Sequence, residues 1–183
     1  MKVISRLLND ALVLEPTVYR DHRGYFFESY NRQSLRELGI EIDFVQDNQS
    51  FSTAAGTVRG LHYQLSPKAQ TKLVRVLTGA IYDVVVDIRK GSKTFGQWAG
   101  VVLSAENHCQ LLVPKGFAHG FCTLVPDTLV LYKVDEYYSP EHDRGILWND
   151  PDLGIDWPMS SCVLSDKDRA NPPLKYAELD DSL

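Results

Sequence analysis

Between Tyr25 and Val134 the chain alternates apolar and polar residues in short runs of period two, the pattern of half-buried β-strands. Leu12 to Glu15 is a short apolar strand cut by Pro16, and Asp21-His22-Arg23-Gly24 supplies turn chemistry. Tyr25 to Tyr30 reads as an aromatic strand, with Tyr25, Phe27 and Ser29 on one face and Phe26, Glu28 and Tyr30 on the other. Asn31 caps a short helix over Ser34 to Leu38, which Gly39 ends. Phe44 to Ser50 is extended again, with Gln46, Asn48 and Ser50 along one side. Those three residues form either its wet side or the lining of a polar pocket.

Val58 to Gln64 is the next strand. It carries His62 and Gln64 on one face and Arg59, Leu61 and Tyr63 on the other, while Gly60 inside it marks a bulge or a close approach. Lys72 to Leu77 and Ala80 to Arg89 flank Thr78-Gly79 and read as a hairpin. In its second arm Ala80, Tyr82, Val84, Val86 and Ile88 form the apolar face, and Asp83, Asp87 and Arg89 punctuate the other. Trp98 to Leu103, Cys109 to Val113, Ala118 to Leu124 and Thr128 to Val134 complete the strands. From Tyr137 onward regular alternation stops, and loops with short helical turns are expected. About ten short strands joined by turns, with no long helix and no βαβ rhythm, predict an all-β sandwich or barrel.

Composition narrows the function more than the fold. The 183 residues fit one domain over 1–183. A formal net charge of −5 argues against a protein that coats nucleic acid, yet leaves room for a small anion in a local Arg/Lys pocket. No apolar run reaches the ~20 residues of a membrane span. Asn9 and Asp10 interrupt the N-terminal apolar run, so no export signal is expected and the cytoplasm is the default location. Cys109, Cys122 and Cys162 are odd in number and far apart, which is neither a disulfide framework nor a zinc spacing; reduced thiols are expected.

Several side chains could carry chemistry. His62 is a candidate base or an ordinary buried histidine. Lys72 sits on the apolar face with Val74 and Val76, where it either snorkels or serves a pocket. Tyr132 shares a face with Val130 and Val134, which turns its hydroxyl inward as a structural hydrogen bond or a proton donor. Asp166-Lys167-Asp168-Arg169 is either a solvated charge run or the source of a carboxylate that returns to orient a histidine. His119 ends the spacing Pro114-Lys115-Gly116-Phe117-Ala118-His119, which is similar to the second motif of cupin barrels. The stretch matching the first cupin motif is His62-Tyr63-Gln64; glutamine stands where a second histidine ligand belongs, and no glutamate follows at the needed distance. A cupin jelly-roll barrel without a catalytic metal is therefore expected.

Together these motifs resemble the dTDP-4-dehydrorhamnose 3,5-epimerase family, from about Leu14 to about Leu174. The stretches that carry the resemblance include Asp21-His22-Arg23-Gly24-Tyr25-Phe26-Phe27-Glu28, Phe44-Val45-Gln46-Asp47-Asn48, Leu61-His62-Tyr63-Gln64, Lys72-Leu73-Val74-Arg75, Phe95-Gly96-Gln97-Trp98, Pro114 to Phe121, Leu131-Tyr132-Lys133 and Tyr137-Tyr138-Ser139-Pro140. The resemblance implies a dTDP-linked 4-keto-6-deoxyhexose as substrate and inversion at C3 and C5, with no cofactor. It implies His62 as the base, Asp168 as the carboxylate that orients it, Tyr132 as the proton donor from the other face and Lys72 at the developing oxyanion. His119 would contact the sugar or assist the enolate.

For the nucleotide, the resemblance implies Arg23 and Arg59 on the diphosphate and polar contacts from Gln46 and Asn48. It implies Glu28 on the thymine, stacking by Phe26 and Tyr138, and a further contact from Lys167. Arg23, Phe26 and Glu28 would reach the neighbouring site of a homodimer. The family's usual glutamate after Tyr-Tyr-Ser-Pro is replaced: Asp143 matches its position with shorter reach, and Glu141 is the alternative. No role is expected for His22. Alternation places Arg59 on the wrong face for a phosphate, and a bulge at Gly60 would resolve the conflict. The rival readings are an epimerase of C3 or C5 alone, a non-catalytic nucleotide-sugar-binding cupin, and a metal-dependent cupin dioxygenase.

Overall fold

The alternating runs pair into two antiparallel sheets that face each other in a computed structural model, which describes residues 1–182. In chain order the strands are β1 (Lys2–Leu7), β2 (Ala11–Glu15), β3 (Tyr19–Asp21), β4 (Gly24–Phe26), β5 (Gln46–Ser52), β6 (Val58–Gln64) and β7 (Lys72–Thr78). They continue as β8 (Ala80–Asp87), β9 (Trp98–Ser104), β10 (Gln110–Val113), β11 (Phe117–Thr123), β12 (Thr128–Val134) and β13 (Asp143–Gly145). Two short helices, α1 (Arg32–Glu37) and α2 (Asp166–Arg169), and a 3₁₀ turn at Leu174–Tyr176 complete the list.

The six-stranded sheet has the order β1-β2-β10-β7-β12-β5 and the five-stranded sheet the order β13-β6-β11-β8-β9. Sequence neighbours are thus mostly split between sheets, which is jelly-roll topology and agrees with the expected fold class. Between the sheets lie Val13, Val74, Val76, Val85, Leu111, Phe121 and Val130. The C-terminal segments coat the outer face of the five-stranded sheet, where Leu153 and Ile146 pack on Leu61, Tyr63, Val84 and Val86. On the other flank α1 inserts Leu35 against Leu12, Leu14, Leu73 and Leu112. Six residues cannot hold a helix in water unaided. The Asn31 side chain caps α1 by accepting from the Gln33 and Ser34 N–H groups, and burial of Leu35 does the rest.

The structure corrects four expectations. The strand after the first turn ends at Phe26, not Tyr30, because it pairs only with β3 in a separate two-stranded ribbon. An unexpected strand, β1, precedes it; its exposed, weakly alternating residues hide a regular pairing with β2. The segments around Thr78-Gly79 do not form a hairpin. β7 and β8 lie in different sheets, and Gly79, at φ +83°, turns a corner against Thr128. Finally, β8 is not apolar on one face alone, for the face punctuated by Asp83 and Asp87 is buried too. Val84 and Val86 pack outward under the C-terminal coat, while Ile81, Asp83 and Val85 point between the sheets.

The bulge at Gly60 is real and decides where Arg59 points. Across β6 and β11, His62 stands opposite His119 but Arg59 stands opposite Phe121, so three steps on β6 match two on β11. That extra residue resets the alternation and turns Arg59 to the same side as His62. Gly60 is at φ +117°, and a Cβ there would lie 2.6 Å from the Gly120 Cα and 2.7 Å from the His119 oxygen. The position has no room for a side chain.

Candidate active site

At one end of the sandwich the sheets part around a cavity of about 450 Å³. Its first wall is the five-stranded sheet, with Arg59, His62 and His119; its second is the six-stranded sheet, with Ser50, Lys72 and Tyr132. Val163 to Ser165, Lys167 and Asp168 form the rim. A smaller recess of about 190 Å³ adjoins it and shares His62, Lys72, Tyr132 and Lys167.

His62 is held by a carboxylate 106 residues away. Its Nε2 lies 2.6 Å from Asp168 Oδ1, and Asp168 is only 4 % exposed. Ser165 caps α2, its Oγ accepting from the Asp168 N–H at 3.1 Å, so the carboxylate is fixed by its own helix. The Gly60 N–H donates to Asp168 Oδ2 at 3.4 Å, which ties the bulge to the same group. Burial pushes the Asp168 carboxyl up, but the hydrogen bonds from His62, Gly60 and Ser165 outweigh it and leave it below the ordinary range. An ionised carboxylate on Nε2 selects the Nε2–H tautomer and leaves Nδ1 with a free lone pair. The pair is therefore built as a base.

The opposite wall carries the electrophilic groups. Lys72, at the start of β7, is buried, and its Nζ donates to the His62 carbonyl at 3.3 Å. Desolvation lowers its pKa to about 8 against the opposing pull of Asp143 and Asp83. Tyr132 packs its ring on the inter-sheet core. Burial, eased by Arg59 and reinforced by Asp143, holds its phenol above the ordinary value and so protonated. Arg59 is braced by Ser52 Oγ at 3.1 Å and the Phe51 carbonyl at 2.9 Å. A base and a protonated phenol thus face one another from different sheets, with a buried ammonium beside them.

His119 pairs with a carboxylate that alternation set on the charge-punctuated face of β8 and to which no role was given. Its Nε2 lies 2.6 Å from Asp83 Oδ1. The strand period did place Asp83 in line with Ile81 and Val85, and an acid on an apolar row was the available signal.

The second recess gathers the remaining predicted polar residues. Gln46 donates to Asn48 at 2.8 Å and accepts from the Tyr138 N–H at 3.2 Å. Asp143 is bound by Lys167 and by the Tyr138 hydroxyl at 3.3 Å. Glu141 is exposed and lines neither recess, so Asp143 is the acid present here. Arg23, Phe26 and Glu28 are not brought to His62. They sit on and beside the β3–β4 ribbon, where Phe26 is 67 % exposed and Arg23 bonds Asp21 at 2.6 Å.

Gln64 donates to the Lys68 carbonyl at 2.5 Å and accepts from the Ser139 N–H at 2.8 Å, so it is spent on loop anchoring. Among the described residues no three His, Cys, Asp or Glu side chains converge to hold a metal ion. The three cysteines are free thiols. Burial, reinforced by Cys162, pushes the Cys122 thiol up to about 12, away from thiolate chemistry. Among the described residues no helix is long and apolar enough to cross a membrane.

Residues 6–176 match the family model described as dTDP-4-dehydrorhamnose 3,5-epimerase. The chain belongs to this family. A curated family member from Salmonella typhimurium is 54 % identical over 181 residues, covering 98 % of each chain. The Bacillus anthracis enzyme of the same name, solved with TDP and PPi bound, is 63 % identical with a TM-score of 0.93, covering 94 % of this chain and 98 % of that one. A Legionella pneumophila epimerase solved with dTDP-4-keto-L-rhamnose is 48 % identical with a TM-score of 0.91, covering 96 % and 93 %. Family membership and fold thus agree with the motifs that pointed to them. The family match takes in both walls of the cavity, the helix that carries Asp168 and the exposed β3–β4 ribbon.

Proposed function

We propose that this chain is an epimerase that inverts C3 and C5 of dTDP-4-dehydro-6-deoxy-D-glucose to give dTDP-4-dehydro-L-rhamnose. The observation that carries the reading is the His62–Asp168 pair on one wall, facing Tyr132 and Lys72 on the other. A C4 ketone acidifies the hydrogens on both neighbouring carbons. His62 takes one as a proton, Lys72 meets the enolate oxygen, and Tyr132 returns a proton from the opposite face. The sequence of steps is redox-neutral. His119 assists at the oxygen, while Arg59, Gln46, Asn48, Tyr138, Asp143 and Lys167 hold the sugar nucleotide.

The test is incubation with the 4-keto substrate in deuterated water. Deuterium at C3 and C5 is expected by NMR. Uptake at one carbon alone would support a mono-epimerase, and uptake at neither would sink the epimerase reading.

The same reading makes the chain a homodimer whose β3–β4 ribbons cross into the partner's site. Its motive is the exposed ribbon, with Tyr19 64 % and Tyr25 54 % exposed, carrying nucleotide-binding candidates that their own cavity does not use. Arg23→Ala and His62→Asn should each be inactive alone. When co-expressed they should recover about a quarter of wild-type activity, because half the dimers are mixed and each has one intact site. Activity no higher than the single variants would rule the exchange out.

A further inference from the structure

Asp83 is fully buried, and its surroundings are those of a core residue. It lies on β8 in line with Ile81 and Val85, opposite Phe121 on β11. It does not line the cavity but stands behind His119, which does. Its Oδ1 holds His119 Nε2 at 2.6 Å, and its Oδ2 is buried with no hydrogen-bond partner among the described residues. A carboxylate in such a place is costly unless nearby charge compensates it. The fold would have been served more cheaply by an aliphatic residue, as at the neighbouring inward positions Ile81 and Val85. That is the mark of a group kept for the site.

We propose that Asp83 is a positioning residue of the reaction, fixing the His119 ring at the cavity wall and supplying the buried negative charge that keeps Lys72 an ammonium. This rests on the role given to Lys72 above. Through His119 it acts by geometry: with Nε2 tied to Asp83, Nδ1 is the nitrogen left for the cavity. Through Lys72 it acts by charge. Desolvation drives Lys72 toward the neutral amine, with a pKa of about 8, and Asp143 and Asp83 are the anions that oppose this. The recesses that hold Lys72 are lined by Arg59 and His62 from β6, His119 from β11, Tyr132 from β12, Tyr138, Asp143 from β13, and Lys167 and Asp168 from α2, with Asp83 of β8 behind His119. Of the two acids that oppose the loss of the Lys72 charge, Asp143 is already bound by Lys167, whereas among the described residues no lysine or arginine is bonded to Asp83. Losing the Asp83 charge should therefore be felt at Lys72 as well as at His119.

The decisive variant is Asp83→Asn, which keeps the shape and an acceptor oxygen for His119 but removes the charge. In wild type, kcat should fall as pH rises through about 8, as Lys72 loses its proton. In Asp83→Asn that alkaline limb should move about one unit lower. At pH 7.5 that shift should lower kcat about threefold, with KM changed less than about twofold. Asp83→Glu retains the charge and displaces the ring, so its limb should stay in place while kcat falls; it also serves if the asparagine variant does not fold. A merely structural Asp83 would lower the melting temperature and leave the limb unmoved in Asp83→Asn, which would overturn the proposal. So would a limb that shifts equally in Asp83→Glu. A wild-type protein inactive on the 4-keto sugar would instead defeat the functional reading on which this rests.

Discussion

Replacing His62 by Asn is expected to remove deuterium uptake at both C3 and C5 and to lower kcat by about 10³, in the middle of the range for a positioned general base. Asparagine can still donate to Asp168, so the buried carboxylate keeps a partner and the variant should fold; a thermal melt checks this. Nucleotide affinity should change less than about threefold, because Arg59, Gln46, Tyr138 and Lys167 are untouched. One base for two carbons is the stronger part of the claim. The first wall offers two histidines, directly opposite in the β6–β11 register, but they are not equivalent. His62 is the more open, with a side chain 32 % exposed against 7 % for His119. Its partner comes from a separately capped helix at the cavity rim, whereas the partner of His119 is sealed in the core. Residual uptake at one carbon near the wild-type rate would mean that a second base serves that carbon.

What the sequence revealed of this site follows from the range over which each signal acts. Lys72 and Tyr132 stood out through strand period, because polar residues on an apolar row break it, while His62 shared its face with Gln64; for all three the resemblance, not the period, supplied the role. Gly60 announced the bulge because a glycine within a strand needs a reason, and the reason was the Gly120 backbone. Asp168 had no such signal. It lies in an irregular segment, and local pattern cannot bring a carboxylate back over 106 residues, so only the resemblance supplied its role. Asp83 drew no notice because alternation was read as one apolar face and one punctuated by charge. That rule fails where the C-terminal segments coat a sheet already buried on its inner side. The false hairpin at Gly79 has a related cause: the turn residues specify a reversal, not which sheet receives the next strand. The structure gives Arg23, Phe26 and Glu28 no place in the cavity that holds His62, so strand period had nothing to say of the roles the resemblance implies for them.

Tyr132→Phe should separate two steps that His62→Asn abolishes together. The change removes one oxygen and leaves the ring packed on the inter-sheet core, so folding should be little affected. The phenol is held protonated by burial, which suits a donor and not a base. Without it the enolate still forms: His62 and Asp168 remain on the first wall, and Lys72 still meets the oxygen. The enolate then regains its proton mainly from the side it was lost. Deuterium wash-in should therefore stay within about fivefold of wild type, while net inversion falls about 10²-fold. Both quantities come from one time course, by following label in recovered substrate and the amount of inverted product. An equal loss of exchange and inversion would mean that Tyr132 takes part in proton removal as well as return, and the assignment of one role to each wall would fail.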